Sequence, residues 1–407
     1  MAHRGLKFGI FLAPFHKPGD NPGYAMRRDM EVIEKLDELG YDEAWIGEHH
    51  SAGWEIIASP EIFIAAAAER TKHIMLGSGV TSLPYHHPLL VAQRFVQLDH
   101  MTRGRVMLGC GPGALVSDAY MMGIPAETQR RRMEESLDAI MALLKCDEPV
   151  TMKTDWFELK DARLHLAPYT YPHFPIAVAS VTTPAGVMVA GKHGLGLLSI
   201  GAGLPGGPQK LHEQWKTGEA EAAKTGATFS REGWRLVINV HVAETDERAR
   251  RDVAIGEPAE TLSYFSETLG RPPMRSEDPL GDGLRAGTTL VGSPETVAAG
   301  IERLLAHTGQ DGEINGAYGA GGVLFRANDW ANREDTLRSY ELFARWVMPR
   351  FQGSTITTHA SREWASANRN GIFGPSIGAI KKAFEDAGQE APDHIRMRLH
   401  TGKVDVT

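Results

Sequence analysis

Residues 73–111, HIMLGSGVTSLPYHHPLLVAQRFVQLDHMTRGRVMLGCG, decide the fold. The run His73–Thr81 is short and aliphatic, as a buried strand is, and Pro88–His100 then carries apolar residues at helical spacing. Val106–Cys110 is a second aliphatic run, so the segment reads as strand, helix, strand, the unit that joins parallel strands. The same unit recurs on both sides. Toward the N-terminus, Lys7–Ala13 is a strand ending at Pro14, Arg27–Leu39 a helix closed by Gly40, Glu43–Gly47 a strand and Glu61–Arg70 a helix. Toward the C-terminus the strands are Pro175–Ser180, Leu195–Ile200, Trp234–Ala243 and Val323–Arg326. The helices between and after them are Glu127–Leu144, Pro184–His193, Lys210–Lys224, Asp246–Ala254 and Glu334–Val347. Eight strands, each followed by a helix, predict an α/β protein of the (β/α)8 barrel type. A doubly wound open sheet also alternates, but with fewer units, and no GxGxxG follows an early strand here. Residues 1–351 are therefore expected to form one barrel. A Gly-, Pro- and charge-rich insertion at about 256–292 falls near its seventh and eighth strands, and 352–407 reads as a polar extension with one short helix near Ile377–Asp386.

Of 407 residues 42% are hydrophobic and 23% charged, enough apolar surface to build a large core. The net charge of −8 argues against nucleic acid as a partner, since a phosphate backbone calls for a basic surface. No uncharged apolar run reaches the length of a membrane span, and the short apolar run near the N-terminus ends in Pro-Phe-His-Lys rather than a small-residue cleavage site, so a cytoplasmic protein is expected. Two cysteines, Cys110 and Cys146, leave no basis for a disulfide scaffold or a cysteine-built zinc site.

In such a barrel, chemistry sits at the C-terminal ends of the strands. The second strand ends in Glu48-His49-His50, where neighbouring side chains on extended backbone point to opposite faces. That opposes a metal site built on this pair, and no metal is expected. A single histidine titrating near neutrality suits acid–base work, or else is a hydrogen-bonded structural residue. The third ends in a loop with His86-His87-Pro88, a second pair that reads as a metal ligand set, a proton relay, or simply the entrance to a helix with His87 packed beneath it. Gly79 within an apolar strand marks a close approach by something flat or by backbone. Gly109-Cys110-Gly111-Pro112-Gly113 lacks the spacing of a phosphate loop, and Cys110 reads as a packed small hydrophobe before a nucleophile. Ser180, Thr182 and Thr183 stand between a strand and a helix N-terminus, where an anion or an ordinary N-cap is accommodated.

These segments, in this order, resemble the bacterial luciferase-like family of flavin-dependent monooxygenases. The resemblance is carried by KFGIFL (Lys7–Leu12), Glu48-His49-His50, LPYHHP (Leu83–Pro88), LDHMTRGR (Leu98–Arg105), Gly109–Gly113 with Asp118, Ser180–Thr183, VGSPE (Val291–Glu295) and FARWVMP (Phe343–Pro349). The run GYDEAWIGEHHSAGWEIIASPE together with GPGALVSDAYMMGI resembles the limonene monooxygenase branch of that family.

The resemblance implies a TIM barrel that takes reduced flavin (FMN or FAD) from a separate NAD(P)H-dependent flavin reductase and uses O2 as co-substrate. One oxygen atom enters a small apolar organic substrate, for example by epoxidising a monoterpene such as limonene. By position, His49 matches the family's catalytic histidine and Asp118 a carboxylate supporting the flavin site. Gly79 and Val80 match a pair joined by a non-prolyl cis peptide beneath the flavin. Cys110, Gly111 and Gly113 flank the cofactor, and Ser180, Thr182 and Thr183 match its phosphate cradle. Luciferase's cysteine falls on Gly111 and its phosphate-binding arginine on Pro112, so light emission is not expected and the phosphate needs other partners. The family also implies a homo-oligomer, a dimer or larger. Trp54, Tyr85, Leu115 and Tyr120 lie on mouth loops and are candidates for an apolar substrate pocket, and the insertion at 256–292 is a candidate lid. Alternatives are hydride transfer with a deazaflavin on the same fold, a flavin-binding protein without catalysis, and a metal-dependent hydrolase built on the two His pairs.

Overall fold

The computed structural model describes residues 5–13, 15–181, 183–270, 276, 278–309 and 319–393. Among these, eight parallel strands close into a barrel: β1 Lys7–Leu12, β2 Glu43–Ile46, β3 Met75–Ser78, β4 Val106–Gly111, β5 Ile176–Ser180, β6 Gly196–Ser199, β7 Trp234–Val242 and β8 Gly322–Arg326. Each pairs with the next, and β8 returns to β1 with Lys7 opposite Gly322. The sheet closes because the helices that follow the strands cover its outer face, leaving no edge to protect.

Strand side chains alternate between two apolar environments. Phe11, Trp45, Met107, Ala177, Leu198, Val237 and Leu324 fill the lumen. Phe8, Ile10, Ile46, Leu76, Leu108, Cys110, Val178 and Phe325 face the surrounding helices. Trp45 fits the lumen because β3 supplies glycines beside it. A Cβ at Gly77 would lie 2.8 Å from its ring and one at Gly79 2.7 Å from its Cβ. At the N-terminal end the lumen is plugged by charge. Arg235 donates to both carboxylate oxygens of Glu43 (2.8 and 2.5 Å), and Trp45 Nε1 donates to the same group (3.0 Å). Burial opposes the charge on Glu43, but Arg235 more than offsets it and holds the carboxyl below its usual range.

The structure departs from expectation where short-range signals compete. The first helix spans Pro22–Leu39, starting before Arg27, because Asn21 caps it by accepting the Tyr24 N–H (3.1 Å) and Pro22 suits the first turn. A helix over Pro294–Ala306, capped by Ser293 and buried through Val297, Ile301, Leu304 and Leu305, lies before β8 and was not anticipated, although the VGSPE motif contains its start signal. An antiparallel hairpin, Val150–Lys153 with Glu158–Ala162, occupies the connection before β5. The insertion is more structured than a glycine-rich loop. It contains Gly256–Glu260, a π-helical stretch Thr261–Thr268, the helix Pro279–Ala286, and a strand Thr289–Gly292 paired with the end of β7.

The chain divides into two compact units after Gln352. The second, taken by itself, carries two helices, Ile356–Ala367 and Arg369–Asp386, so helix extends well beyond the single short one expected. Among the described residues, no helix is long and apolar enough to cross a membrane.

Candidate active site

The loop after β2 sends its two histidines in opposite directions, as extended backbone requires. His50 turns to Glu48, whose Oε1 lies 2.9 Å from His50 Nε2 and 2.6 Å from His86 Nε2, while Oε2 accepts the Ser82 N–H (2.7 Å). One buried carboxylate thus gathers a histidine from each His pair. Burial would raise the Glu48 carboxyl, but these bonds hold it below the usual range, and the bond to Glu48 raises His50 in turn. His87 precedes the helix Pro88–Thr102 and packs edge-on against Phe157. The sequence-based metal reading therefore finds these histidines engaged with a carboxylate and an aromatic ring, and no ligand cluster stands among the described residues.

His49 turns the other way, between two carboxylates. Its Nε2 lies 2.8 Å from Glu55 Oε2, and its Nδ1 lies 3.4 Å from Asp118 Oδ2, an ion-pair distance at which Nδ1 makes no hydrogen bond. Asp118, on the short helix Val116–Met121, is fixed by the His50 N–H (3.2 Å) and by the Ser51 hydroxyl, both donating to Oδ1. Burial works against the imidazolium, yet Glu55 and Asp118 outweigh it and raise His49 to about 10. Asp118 is likewise pushed up by burial but held below its usual range by His49 and Ser51. Glu55 was not singled out from sequence. A carboxylate in the run Trp54-Glu55-Ile56-Ile57, buried among apolar neighbours, was the available signal.

The insertion is pinned to the mouth at two sides. Tyr264 donates to Glu55 Oε1 (2.6 Å) and packs against Phe15 and Trp54 at 4.5 and 5.4 Å between ring centroids, while Trp54 Nε1 donates to Thr268 (3.1 Å). Next to this cluster, Arg326 at the end of β8 donates to Glu260 (2.8 Å) and to Asn239 (2.7 Å) and lies over the Phe15 ring. Burial pushes the Glu260 carboxyl up to about 7 against the pull of Arg326. Replacing Arg326 by Ala removes a charged hydrogen bond of about 1.5–3 kcal/mol. Amides across 261–269 are then expected to exchange roughly 10- to 100-fold faster in hydrogen-exchange mass spectrometry.

The other candidate residues divide by face. A non-prolyl cis peptide joins Gly79 and Val80. A Cβ at Gly111 would stand 2.4 Å from Val80 Cγ2, and one at Gly113 2.1 Å from Tyr85 Oη, so the Val80 and Tyr85 side chains leave room for no side chain at either position. Tyr85 is half-buried, its hydroxyl accepting from Gln129 (3.3 Å) and pushed up to about 12 by burial and by the charges of Asp118 and Glu48. Leu115 is buried, whereas Tyr120 is 84% exposed. Trp54 is buried under the insertion. Cys110 and Ser180 have to be corrected as side-chain contacts. Cys110 lies in the layer between barrel and helices, where burial pushes its thiol well up. Ser180 accepts from Gln214 of the helix Leu211–Thr225 (2.8 Å), so its hydroxyl faces that helix. Both occupy the helix-facing phase of their strands and offer a ligand only backbone. Thr183 is exposed before the helix Ala185–His193, and Thr182 lies outside the described residues.

The family model of luciferase-like monooxygenases matches residues 6–312. Limonene 1,2-monooxygenase of Rhodococcus erythropolis is 47% identical over 350 residues, 86% of this chain and 87% of that protein. 4-Hydroxyprotoasukamycin monooxygenase of Streptomyces nodosus subsp. asukaensis is 45% identical over 363 residues, 89% of this chain and 96% of that protein. Among solved structures, the oxygenating constituent of 3,6-diketocamphane monooxygenase from Pseudomonas putida, in complex with FMN, superposes with a TM-score of 0.71 at 26% identity, covering 85% of this chain and 98% of that one.

Proposed function

The chain belongs to the luciferase-like monooxygenase family, and from that premise we propose that it uses reduced flavin and O2 to oxygenate a small, weakly polar organic molecule at the barrel mouth. Reduced flavin, when bound, supplies the electrons that activate O2, one oxygen atom going to the substrate and the other to water.

The observation that carries this reading is His49, an imidazole between two buried carboxylates at the C-terminal end of a barrel strand. Such a ring keeps its proton through neutrality. This protonated ring, held between the two carboxylates, is the group from which a proton is offered to oxygen. Asp118 steadies the charge, and its own bonds to Ser51 and His50 keep it from moving. The residues present suit a flavin. The Gly79–Val80 peptide would floor the ring system, the backbone of Gly111 and Gly113 would flank it, and the amides opening the helix Ala185–His193, with Thr183, would meet the phosphate. The insertion, seated over Trp54 and Phe15, would exclude water from the reacting centre.

Relatives named for limonene and for 4-hydroxyprotoasukamycin are about equally similar, so the substrate class we assign is a small, weakly polar organic molecule rather than limonene itself. A separate NAD(P)H-dependent reductase supplies the flavin, in keeping with a similar structure being the oxygenating constituent of its enzyme. Turnover under 18O2 with reductase, NAD(P)H, FMN or FAD and a panel of terpenes, aldehydes and ketones is expected to give product carrying one 18O. Unlabelled product formed without O2, as hydride transfer with a deazaflavin would give, overturns the reading, and so does hydrogen peroxide as the only product across the panel.

A further inference from the structure

Glu55 and Tyr264 link the catalytic histidine to the insertion across 209 positions of sequence. Glu55 spends one oxygen on His49 Nε2 at 2.8 Å and the other on the Tyr264 hydroxyl at 2.6 Å. Both residues are buried, at 7% and 3% exposure, so neither bond is exchanged freely with water. Tyr264 in turn packs in an aromatic cluster with Phe15, Trp54 and Phe265, which joins the π-helical stretch Thr261–Thr268 to the mouth.

We propose that Glu55 is a positioning residue that holds the His49 ring and its proton, and that Tyr264 completes this support only when the insertion is seated, so that the acid is fully assembled in the closed mouth alone. The inference rests on the role given above to His49. It assigns the seated insertion a chemical task besides excluding water. Closure supplies the Tyr264 hydroxyl to Glu55, which fixes the carboxylate against Nε2 and so sets the ring with Nδ1 toward Asp118. The groups that face this assembly are Glu55 from the β2 loop, Asp118 from the helix Val116–Met121, the neighbouring His50 with Glu48 and His86 behind it, Tyr264 from the insertion, and, over the Phe15 ring, Arg326 with Glu260. The raised titration of His49 agrees with this arrangement.

The first readout is His49 in the full-length protein without flavin, which is independent of whether oxygenation occurs. Imidazole C2 hydrogen–deuterium exchange, followed by mass spectrometry of the peptide containing His49, gives the ring's titration midpoint. In Glu55→Gln that midpoint is expected to fall by about one to three pH units, the effect of losing an adjacent opposite charge. Glu55→Asp, which keeps the charge, is expected to restore part of the shift. Tyr264→Phe is expected to produce a smaller fall, with faster amide exchange across 261–269 and, in turnover, a larger share of reducing equivalents lost as hydrogen peroxide. An unchanged His49 midpoint in Glu55→Gln overturns the positioning role. A Tyr264→Phe protein with His49 titration and peroxide release both at the unsubstituted level overturns the link to the insertion. Should His49→Gln retain oxygenation while these shifts appear, the role assigned to His49 falls and the coupling stands.

Discussion

Replacing His49 by Gln is expected to lower product formation by about 10²- to 10⁴-fold, the usual contribution of a positioned acid, while reduced flavin still binds. Gln is the informative replacement because its amide can still donate to Glu55, so the loss reports the proton rather than an unpaired buried carboxylate. Rapid-quench product analysis alongside flavin titration by fluorescence separates the two outcomes, and full product yield in the variant removes His49 from the chemistry. The pH dependence has a definite sign. The folded-state value for His49, about 10, lies above the ordinary 6.5. The stabilisation of its charged form is therefore fully present below about 6.5 and is lost as pH rises through the folded value. Oxygenation is accordingly expected to decline toward alkaline pH, with no acid limb attributable to His49.

Replacing Glu43 by Gln is expected to cost about 3–5 kcal/mol of stability, because it leaves the Arg235 guanidinium buried in the lumen without its counter-charge. Arg235 is 6% exposed, so little bulk solvent reaches its guanidinium to substitute. Chemical denaturation should show a clear drop in midpoint, whereas the double change Glu43→Met with Arg235→Leu should recover most of it, since neither charge then remains. Here too the sign follows from the shift. The folded Glu43 titrates below its ordinary range, so its contribution is present above the unfolded value and fades as pH falls through the folded one. The gap between the unsubstituted protein and Glu43→Gln should therefore narrow in acid. A constant gap, or none, would mean that the pair does not hold the barrel's lower end.

Sequence alone determined the eight-fold alternation of strand and helix, because buried parallel strands read as short aliphatic runs and their helices as longer periodic ones. The strand-end rule also pointed to the loops that carry His49 and Asp118, which the structure sets 3.4 Å apart. That His49 and His50 diverge followed from the two-residue period of extended chain.

Which face of each strand looks into the lumen was not legible. Both faces of these strands are apolar, so period and hydrophobicity leave the phase undetermined, and Cys110 and Ser180 turned out to face the helices. Only the closed barrel decided it. The same holds for partners distant in sequence. Glu43 meets Arg235 and Glu55 meets Tyr264 because closure brings β7 against the second strand's floor and the insertion against its exit. A carboxylate in an apolar run announces that it needs a partner, since a buried charge is costly alone. Which residue answers is settled by the three-dimensional path of the chain, and no local pattern records that path.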